Sequence, residues 1–216
     1  MTEISEYEPK PQVKYRVSVL DSPNPQIETQ IEQINKAHWY TEKTSSDATK
    51  TGFTIPGEYG GDIKSRIGAS LKSDSSTKFL YITEPAGQVI GYREVEIYPQ
   101  GEDPQDFRNV YNIPEVQDAI RSPHMEGRES AIHPEWRTLK DPLGFKPSEV
   151  LLQETEKLCR EQNLPYLFIW IIGHRGPNIP NKASWKFFTR HGFRPVLTAE
   201  GDVDGTRAAG LYKKIT

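Results

Sequence analysis

The histidines and the single cysteine are the first side chains of this sequence to test for chemistry. None of His38, His124, His133 and His191 stands at a metal-ligand spacing from a cysteine or a carboxylate, so we expect no metal site. Cys159 lies on the apolar side of a predicted helix, where a thiol is inert core. One cysteine cannot form an intrachain disulfide, and a reducing compartment is the simplest interpretation.

His174 differs from the other histidines because it follows a predicted buried strand. Loops at the carboxyl ends of strands in open α/β sheets often meet ligands. An imidazole in such a loop has the chemistry of a base or of a substrate contact. An ordinary loop histidine is the alternative interpretation.

Residues 137–149 form a loop that leads into a predicted helix, and this arrangement suits an anion. The first N–H groups of a helix lack an intrahelical acceptor, and the helix dipole adds positive potential there. Arg137 and Lys146 can supply charge-assisted hydrogen bonds to phosphate oxygens. Pro142 and Pro147 remove two possible N–H donors from the same segment. The segment is thus placed to hold an anion, with two fewer main-chain donors than its length would offer.

Strands and helices in a mixed order would position these groups. Alternating or continuous apolar runs predict strands, and apolar positions with a period near 3.6 predict helices. Residues 164–172 are apolar at almost every position, which is typical of a central strand covered on both faces. The predicted strands are 13–20, 78–83, 89–98, 129–132, 164–172, 193–198 and 207–215. The predicted helices are 25–43, 58–73, 147–162 and a short one that begins at Asn181 and is stopped by Gly192.

The order of these elements predicts one α/β domain over residues 12–216, with three layers. Residues 1–11 are polar and contain proline, so we expect a flexible N-terminal tail. Residues 99–127 form a long insertion with four prolines, and a short helix is expected near residues 115–120. A connection of this length within a compact domain is usually functional or disordered.

The composition limits the classes of partner. The 216 residues carry a net charge of −3, which does not favour nucleic acid or an anionic membrane as the main partner. No apolar run reaches the ~18 residues that a membrane span needs. The polar, acidic start of the chain shows no signal peptide. We expect a cytoplasmic protein, with the nucleus as an alternative, that is a monomer or a homodimer.

Four segments, in order and at suitable spacing, resemble characteristic blocks of the GNAT superfamily of N-acetyltransferases. Together with the element order they extend the resemblance over residues 12–216. It implies the GNAT fold, a mixed and mostly antiparallel sheet with helices on both faces and a splay between strands 4 and 5 that acetyl-CoA fills. The segments are the hairpin of residues 79–92, Ala131-Ile132-His133-Pro134-Glu135-Trp136-Arg137 at the end of the fourth strand, residues 151–159 in the following helix, and Asn-Lys-Ala-Ser-Trp-Lys-Phe-Phe-Thr-Arg-His-Gly-Phe at residues 181–193.

The resemblance implies a set of contacts to acetyl-CoA. The backbone at Ile132 and His133 would meet the pantetheine arm and the acetyl carbonyl, where an N–H stabilises an oxyanion. Plain core packing is the alternative for Ile132. The usual phosphate motif, Arg-x-x-Gly-x-Gly/Ala, would start at Arg137, but Lys140 and Pro142 stand at its small positions. The other implied contacts are Gly144, Phe145, Lys146, Ser148, Asn181, Ser184 and Phe188.

The resemblance also implies a proton acceptor for the amine. A carboxylate on the fourth strand is a common solution in the family, and Glu129 stands there. Glu94 and Glu96 are its rivals, and strand alternation places them on one face of the preceding strand. A solvated strand carboxylate is the alternative for each. His174 is the second catalytic candidate.

Phe188 stands where the family usually has the tyrosine that protonates the CoA thiolate, and a phenyl ring has no proton to donate. Three interpretations remain. His191, His174 or Ser184 donates instead; water donates, because a thiolate is a tolerable leaving group; or the protein does not catalyse. We favour water.

The sequence and the resemblance together predict an N-acetyltransferase. It would transfer an acetyl group directly from acetyl-CoA, as co-substrate, to a primary amine of a small molecule or peptide. A catalytically inactive GNAT-like CoA-binding or interaction module and a protein N-acetyltransferase are the alternatives. The acidic residues Glu102, Asp103 and Asp106 of the insertion favour a cationic acceptor.

Overall fold

The computed structural model describes residues 14–39, 63–102, 114–172, 182–195, 202–203 and 206–215. The strands are β1 (Arg16–Val19), β2 (Thr77–Thr83), β3 (Val89–Tyr98), β4 (His124–Ile132), β5 (Tyr166–Ile172), β6 (Arg194–Pro195), β7 (Asp202–Val203) and β8 (Thr206–Lys214). The helices are α1 (Pro25–Trp39), α2 (Ile63–Ser70), α3 (Pro114–Arg121), α4 (Pro147–Glu161) and α5 (Lys182–Arg190). Within these ranges, no helix combines the length and the apolar character needed to cross a bilayer.

The strands form one sheet in the order β1-β2-β3-β4-β5-β8-β6, and β7 pairs with β8. Neighbouring strands are antiparallel except β4 and β5, which run parallel. A parallel pair needs a crossover connection, and α4 lies within it. The hairpin of β2 and β3 closes at Gly87, whose φ of 92° is in the left-handed region that favours glycine.

Helices cover both faces of this sheet. Asn24 starts α1, since its Oδ1 accepts the Ile27 N–H at 3.2 Å. Helices α1 and α2 then bury Ile31, Ile34, Ile63 and Ile67 against one face, beside Phe79 and Tyr92 of the sheet. Helices α4 and α5 cover the other face with Leu151, Leu152, Cys159 and Phe188. The predicted fold class, a mixed and mostly antiparallel sheet between helices, is confirmed.

The first half of β4 is where the structure departs most from the sequence prediction. The strand begins at His124, not at residue 129, so residues 124–127 belong to the sheet although the sequence assigned them to the insertion. The cause is a β-bulge: Glu94 pairs with Glu129 and Val95 with Gly127, which leaves Arg128 as an extra residue. The extra residue shifts the alternation of faces by one position, and the two halves of the strand therefore do not share one pattern.

The helix expected near residues 115–120 is present as α3. Three other elements are shorter than predicted: β1 begins at Arg16, β5 begins at Tyr166, and α2 ends at Ser70, whereas the sequence predicted a helix to residue 73. The predicted N-terminal tail lies outside the described residues, as do residues 58–62 of the second predicted helix.

Candidate active site

Strands β4 and β5 separate part-way along their length. Their parallel register covers residues 124–127 of β4 and residues 166–169 of β5. Beyond it, β4 continues to Ile132 beside β3, while β5 continues to Ile172 beside β8. We call residues 128–132 the diverging half of β4. The space between it and β5 is the gap that the resemblance implied.

The diverging half of β4 directs main-chain groups into this gap. The His133 N–H donates to the Ile90 carbonyl at 2.8 Å, so these two residues form a hydrogen-bonded pair of the antiparallel ladder. Such pairs alternate with non-bonded ones. The N–H and C=O of Ile132, opposite Gly91, therefore point away from β3 and towards the gap. The main-chain groups of Ser130 also point towards the gap, since Ser130 is two positions from Ile132. Ser130 is exposed, although β4 is a central strand.

Glu129 is the centre of a buried polar network on the face covered by α1 and α2. Its Oε1 accepts hydrogen bonds from Asn35 Nδ2 at 2.6 Å and from the Tyr92 hydroxyl. Its Oε2 accepts one from Arg66 Nη2 at 2.9 Å, and Arg66 Nη1 binds Glu94 Oε2. The side chains of Glu129 and Glu94 are only 8% and 9% exposed. Two carboxylates and one guanidinium leave this face with a net charge of −1 when both carboxylates are ionised.

The two carboxylates of this network have different chemical roles open to them. Burial raises the pKa of Glu94, although Arg66 opposes the shift. Burial alone would lower the pKa of Arg66, but Glu129 and Glu94 outweigh it and raise that pKa, so the guanidinium stays charged. Burial also raises the pKa of Tyr92, so its hydroxyl keeps a proton to donate. Glu129 is thus fixed by three donors, whereas Glu94 has the raised proton affinity of a base.

Glu96, the remaining predicted rival, lies on the same face as Glu94, as strand alternation predicted. Its Oε2 accepts a hydrogen bond from Arg128 Nε at 2.6 Å. The bulge at Arg128 places this arginine beside Glu96, much as Arg66 lies beside Glu94. The two carboxylates differ in burial: 22% of the Glu96 side chain is exposed and 9% of the Glu94 side chain, so Glu96 is the weaker candidate for a base in a water-poor site.

A buried positive charge lies on the opposite face of the sheet. Arg93 is 3% exposed, and its guanidinium lies 5.7 Å from the centroid of the Phe188 ring. Burial lowers the pKa of Arg93 to about 10, so the group is charged at neutral pH. Its Nη1 has no hydrogen-bond partner among the described residues. Buried polar groups normally have partners, so this donor is suited to a ligand atom.

In the turn before α4, the main-chain N–H groups already have acceptors within the turn or in the first turn of the helix. Asp141 Oδ1 accepts the Phe145 N–H at 2.7 Å, and the Asp141 carbonyl accepts the Gly144 N–H at 2.9 Å. Gly144 has a φ of 87°, which favours glycine. At the helix start, Glu149 Oε2 accepts the Lys146 N–H at 2.7 Å. The N–H groups of three predicted phosphate contacts are therefore engaged within the turn itself.

The other predicted cofactor contacts surround the gap and this turn. Arg137 Nε donates to the Ile132 carbonyl at 3.0 Å, which ties the loop to the end of β4. Nδ1 of His133 is buried and has no hydrogen-bond partner within the described residues. Ser148 is in the first turn of α4, where a helix N–H lacks an intrahelical acceptor. Ser184 is half-buried in the first turn of α5.

Two predicted site residues, His174 and Asn181, lie outside the described residues. His191, a predicted alternative proton donor, has its Nδ1 2.8 Å from the Phe187 carbonyl and its Nε2 3.9 Å from Glu149 Oε1. The imidazole is therefore held between the end of α5 and the start of α4.

Four residues that the fold brings to the site were not predicted from the sequence: Asn35, Arg66, Tyr92 and Arg93. A signal for two of them was present. Asn35 interrupts the apolar face that Ile31 and Ile34 begin on α1, and Arg93 sits between Tyr92 and Glu94 in a strand whose other positions are mostly apolar. A polar residue at such a position is buried, and buried polar residues need partners.

The comparisons with known proteins agree with this architecture. No family model and no curated protein sequence matches the chain. Among solved structures, an acetyltransferase of the GNAT family from Staphylococcus aureus is similar over 93% of this chain and 100% of its own, with 12% identity and a TM-score of 0.54. FeeM, an N-acyl amino acid synthase from uncultured soil microbes, is similar over 94% of this chain and 92% of its own, with 13% identity and a TM-score of 0.56. The chain therefore has the GNAT fold.

The residues of the gap fit the acyl-CoA that this fold implies, and those of the turn fit it less well. The gap has a main-chain N–H at Ile132 and an exposed Ser130, and Arg93, which pairs with Ser130 across β3 and β4, has a buried Nη1 donor. In the turn, Asp141 and Glu149 occupy donors that a pyrophosphate would use. The gap therefore suits the thioester end of such a ligand better than the turn suits its phosphates.

Proposed function

We propose that the chain is an N-acetyltransferase that transfers an acetyl group directly from acetyl-CoA to a primary amine of a small molecule or peptide. The observation that carries the proposal is the gap between β4 and β5 in a GNAT fold. When bound, acetyl-CoA would supply an activated acyl group as a thioester. The Ile132 N–H, which is directed into the gap, is a suitable donor for an oxyanion.

The acidic network on the α1 and α2 face would receive the amine. An alkylammonium must lose a proton before it can attack a carbonyl, and a carboxylate with a raised pKa accepts that proton best. Glu94 has this property. Glu129 and Arg66 position it, and the net negative charge of the three groups attracts a cationic acceptor. In this proposal Glu129 holds the base in place, and Glu94 takes the proton.

Arg93 would stabilise the leaving thiolate. Phe188 has no hydroxyl, yet the guanidinium of Arg93 lies over its ring and keeps an unused N–H donor. A buried cation favours the thiolate over the thiol, as neighbouring cations do for reactive cysteines. Protonation of the thiolate can then follow from water, as favoured from the sequence.

A module that binds CoA without catalysis is the second candidate, and two observations favour it. Phe188 replaces the usual acid, and the turn before α4 uses its N–H donors internally. Such a module would keep the gap but lack turnover.

Calorimetric titration with acetyl-CoA, followed by a thiol-release assay over a panel of small amines and peptides, separates these functions. We expect binding and release of CoA thiol with at least one amine. A Ser130→Phe variant should lose binding because its ring fills the gap, whereas Ser73→Phe, in an exposed turn, should bind normally.

The outcomes are distinct. No binding by the wild-type chain would end both functions. Binding without thiol release over the whole panel would support the module. Binding that Ser130→Phe leaves intact would place the ligand outside the gap and overturn the proposed site.

A further inference from the structure

Three potential metal ligands converge at the paired end of β4, away from the gap. One ligand atom from each of Glu102, His124 and Glu126 lies within 4.8 Å of the other two. His124 and Glu126 are two positions apart in a strand and so share one face. Glu102 follows β3, and its backbone is fixed because its N–H donates to the Ile120 carbonyl at 2.8 Å. Two separate parts of the chain therefore meet at this cluster.

The imidazole of His124 presents a lone pair to the two carboxylates. Its Nδ1 is 2.9 Å from the Ser122 carbonyl. A carbonyl can only accept, so Nδ1 carries the proton and Nε2 of the neutral ring carries the lone pair. His124 is 1% exposed, Nε2 lies 3.5 Å from Glu102 Oε2, and Nε2 has no hydrogen-bond partner among the described residues. A buried nitrogen lone pair that faces two carboxylates is a ligand arrangement for a cation.

The surroundings of His124 fix its direction. The ring of Tyr98 stacks on it at 4.8 Å between centroids, and Phe168 packs edge-on at 5.0 Å. The hydrogen bond to Ser122 prevents the ring from turning. Metal-binding histidines typically donate their other N–H to a carbonyl or carboxylate, which sets the tautomer and orients the ring. The Ser122 carbonyl has this position.

We propose that Glu102, His124 and Glu126 bind one divalent transition-metal ion of the zinc type. Imidazole nitrogen with carboxylate oxygen suits zinc and its neighbours better than magnesium or calcium, which prefer oxygen alone. Ligand atoms of a tetrahedral zinc site are about 3.4 Å apart, given bonds of ~2.0–2.1 Å. The His124–Glu102 pair is already near this spacing. Glu102 has 23% of its side chain exposed, which leaves it room to adjust and the ion a route from solvent.

The rival explanation is a purely protein ion pair in which His124 is protonated. His124 is 1% exposed, and a charged imidazole so far from water is costly, which disfavours that form. Arg128 lies 3.8 Å from Glu126, but it also binds Glu96 and donates to the Tyr98 hydroxyl at 3.0 Å. It therefore satisfies part of the local negative charge and does not approach Nε2 of the imidazole in the described contacts.

Such an ion would join the segment after β3 to the start of β4. The sequence predicted no metal site, because none of the histidines considered showed a metal-ligand spacing from a cysteine or a carboxylate, and Glu102 belongs to another segment of the chain. Only the sheet register brings the three groups together. The expected consequence is a zinc-dependent rise in the stability of this corner, since a ligand that binds only the native state stabilises it.

The experiment uses the full chain after removal of metals with a chelator. Zn²⁺ and Co²⁺ are titrated by calorimetry, and the Co²⁺ form is followed by visible absorption, which reports coordination geometry. The variants are Glu102→Gln, at a partly exposed position, and His124→Gln, whose folding is checked by circular dichroism. Glu115→Gln, an exposed carboxylate on α3, is the matched control.

We expect one ion per chain for the wild type and Glu115→Gln, with a Co²⁺ spectrum of nitrogen and oxygen ligands. Glu102→Gln should weaken binding by at least about 10-fold, the lower end of what loss of supporting groups around a metal causes. The ¹⁵N chemical shift of His124 Nε2 should move when Zn²⁺ is added. No binding by the wild type, or equal binding by wild type and Glu102→Gln, would overturn the proposal. These readouts are independent of acyl transfer.

Discussion

The two faces of the sheet around the diverging half of β4 carry opposite charge. On the α1 and α2 face, Glu94 and Glu129 share Arg66 and leave a net negative charge. On the α4 and α5 face, Arg93 is a buried cation beside Phe188. Adjacent residues of β3 supply both signs, because strand alternation sends Arg93 to one face and Glu94 to the other.

This difference gives the gap a direction. A cationic ammonium is favoured on the negative side, where Glu94 can accept its proton. An anionic thiolate is favoured on the positive side. Both effects are strong only where water is excluded, and the side chains of Glu94, Glu129 and Arg93 are largely buried. Acyl transfer from a thioester to an amine needs this polarity, whereas a module that only binds CoA does not. Removal of either charge is therefore a test of the proposed function.

The negative side should give the largest effect. We expect Glu94→Gln to lower kcat/KM about 10²–10³-fold, within the range that a lost general base causes. The wild-type kcat/KM should rise with pH through the pKa of Glu94, because the base acts when ionised, and burial raises that pKa above the ordinary value of 4.5. The pH profile of the variant should lose this acid limb.

Glu96→Gln is the matched control, since Glu96 is on the same face but is paired with Arg128. Its kcat/KM should change less than about threefold, as expected for a partly exposed ion pair. If Glu129→Gln, and not Glu94→Gln, removes the acid limb, then the base is Glu129 and the assignment from the sequence holds over the one from the structure.

The positive side should give a smaller effect. We expect Arg93→Met to lower kcat about 100-fold with little change in the KM for acetyl-CoA. A decrease of this size is typical when an enzyme loses one hydrogen-bond donor to the transition state. Folding should persist, because replacement of a buried charge by an apolar side chain of similar volume is often neutral. Arg160→Met, at an exposed position of α4, should keep the wild-type rate.

A second acyl donor, with a different thiol, makes the test of Arg93 more specific. A donor whose thiol is more acidic than that of CoA needs less help to leave, so the defect of Arg93→Met should shrink with it. A defect of equal size for both donors would contradict the assigned role and leave Arg93 as a group that only positions Phe188.

The overall fold could be predicted from the sequence because its signals are local. The apolar run in β5, the helix that starts at Pro147 and the Gly192 stop each reflect a few neighbouring residues. The start of β4 could not be predicted in this way. The bulge at Arg128 changes which face each residue takes, and no local pattern shows that two residues will oppose one.

The candidate site was predictable only in part, for a similar reason. Glu129 stood out because it is a carboxylate on a strand next to a recognisable block. Its partners Asn35, Arg66 and Tyr92 lie 94, 63 and 37 residues away along the chain, on three different elements. Their convergence depends on how α1 and α2 pack on the sheet. The burial that raises the pKa of Glu94 depends on that packing as well, so the choice between the two carboxylates needed the structure.

The smallest expected effect concerns the turn before α4, which is the proposed phosphate end of the site. Asp141 holds the turn with a carboxylate that also repels phosphate. Asp141→Asn keeps an oxygen acceptor for the Phe145 N–H and removes the charge. We expect the KM for acetyl-CoA to fall about two- to fivefold, as one partly exposed charge is worth ~0.5–1 kcal/mol, with kcat unchanged. Asp118→Asn, on the exposed side of α3, is the control for net charge.

Two further measurements decide whether the phosphates are the cause. The gain should disappear with acetyl-pantetheine, which lacks them, and should shrink at high ionic strength because exposed charges are screened. A gain that acetyl-pantetheine shares would mean that the variant changes the gap and not the phosphate end. A rise in KM would instead show that the turn needs the full charge of Asp141 to keep its shape, and the phosphate end would then resemble the acidic network in depending on a fixed carboxylate.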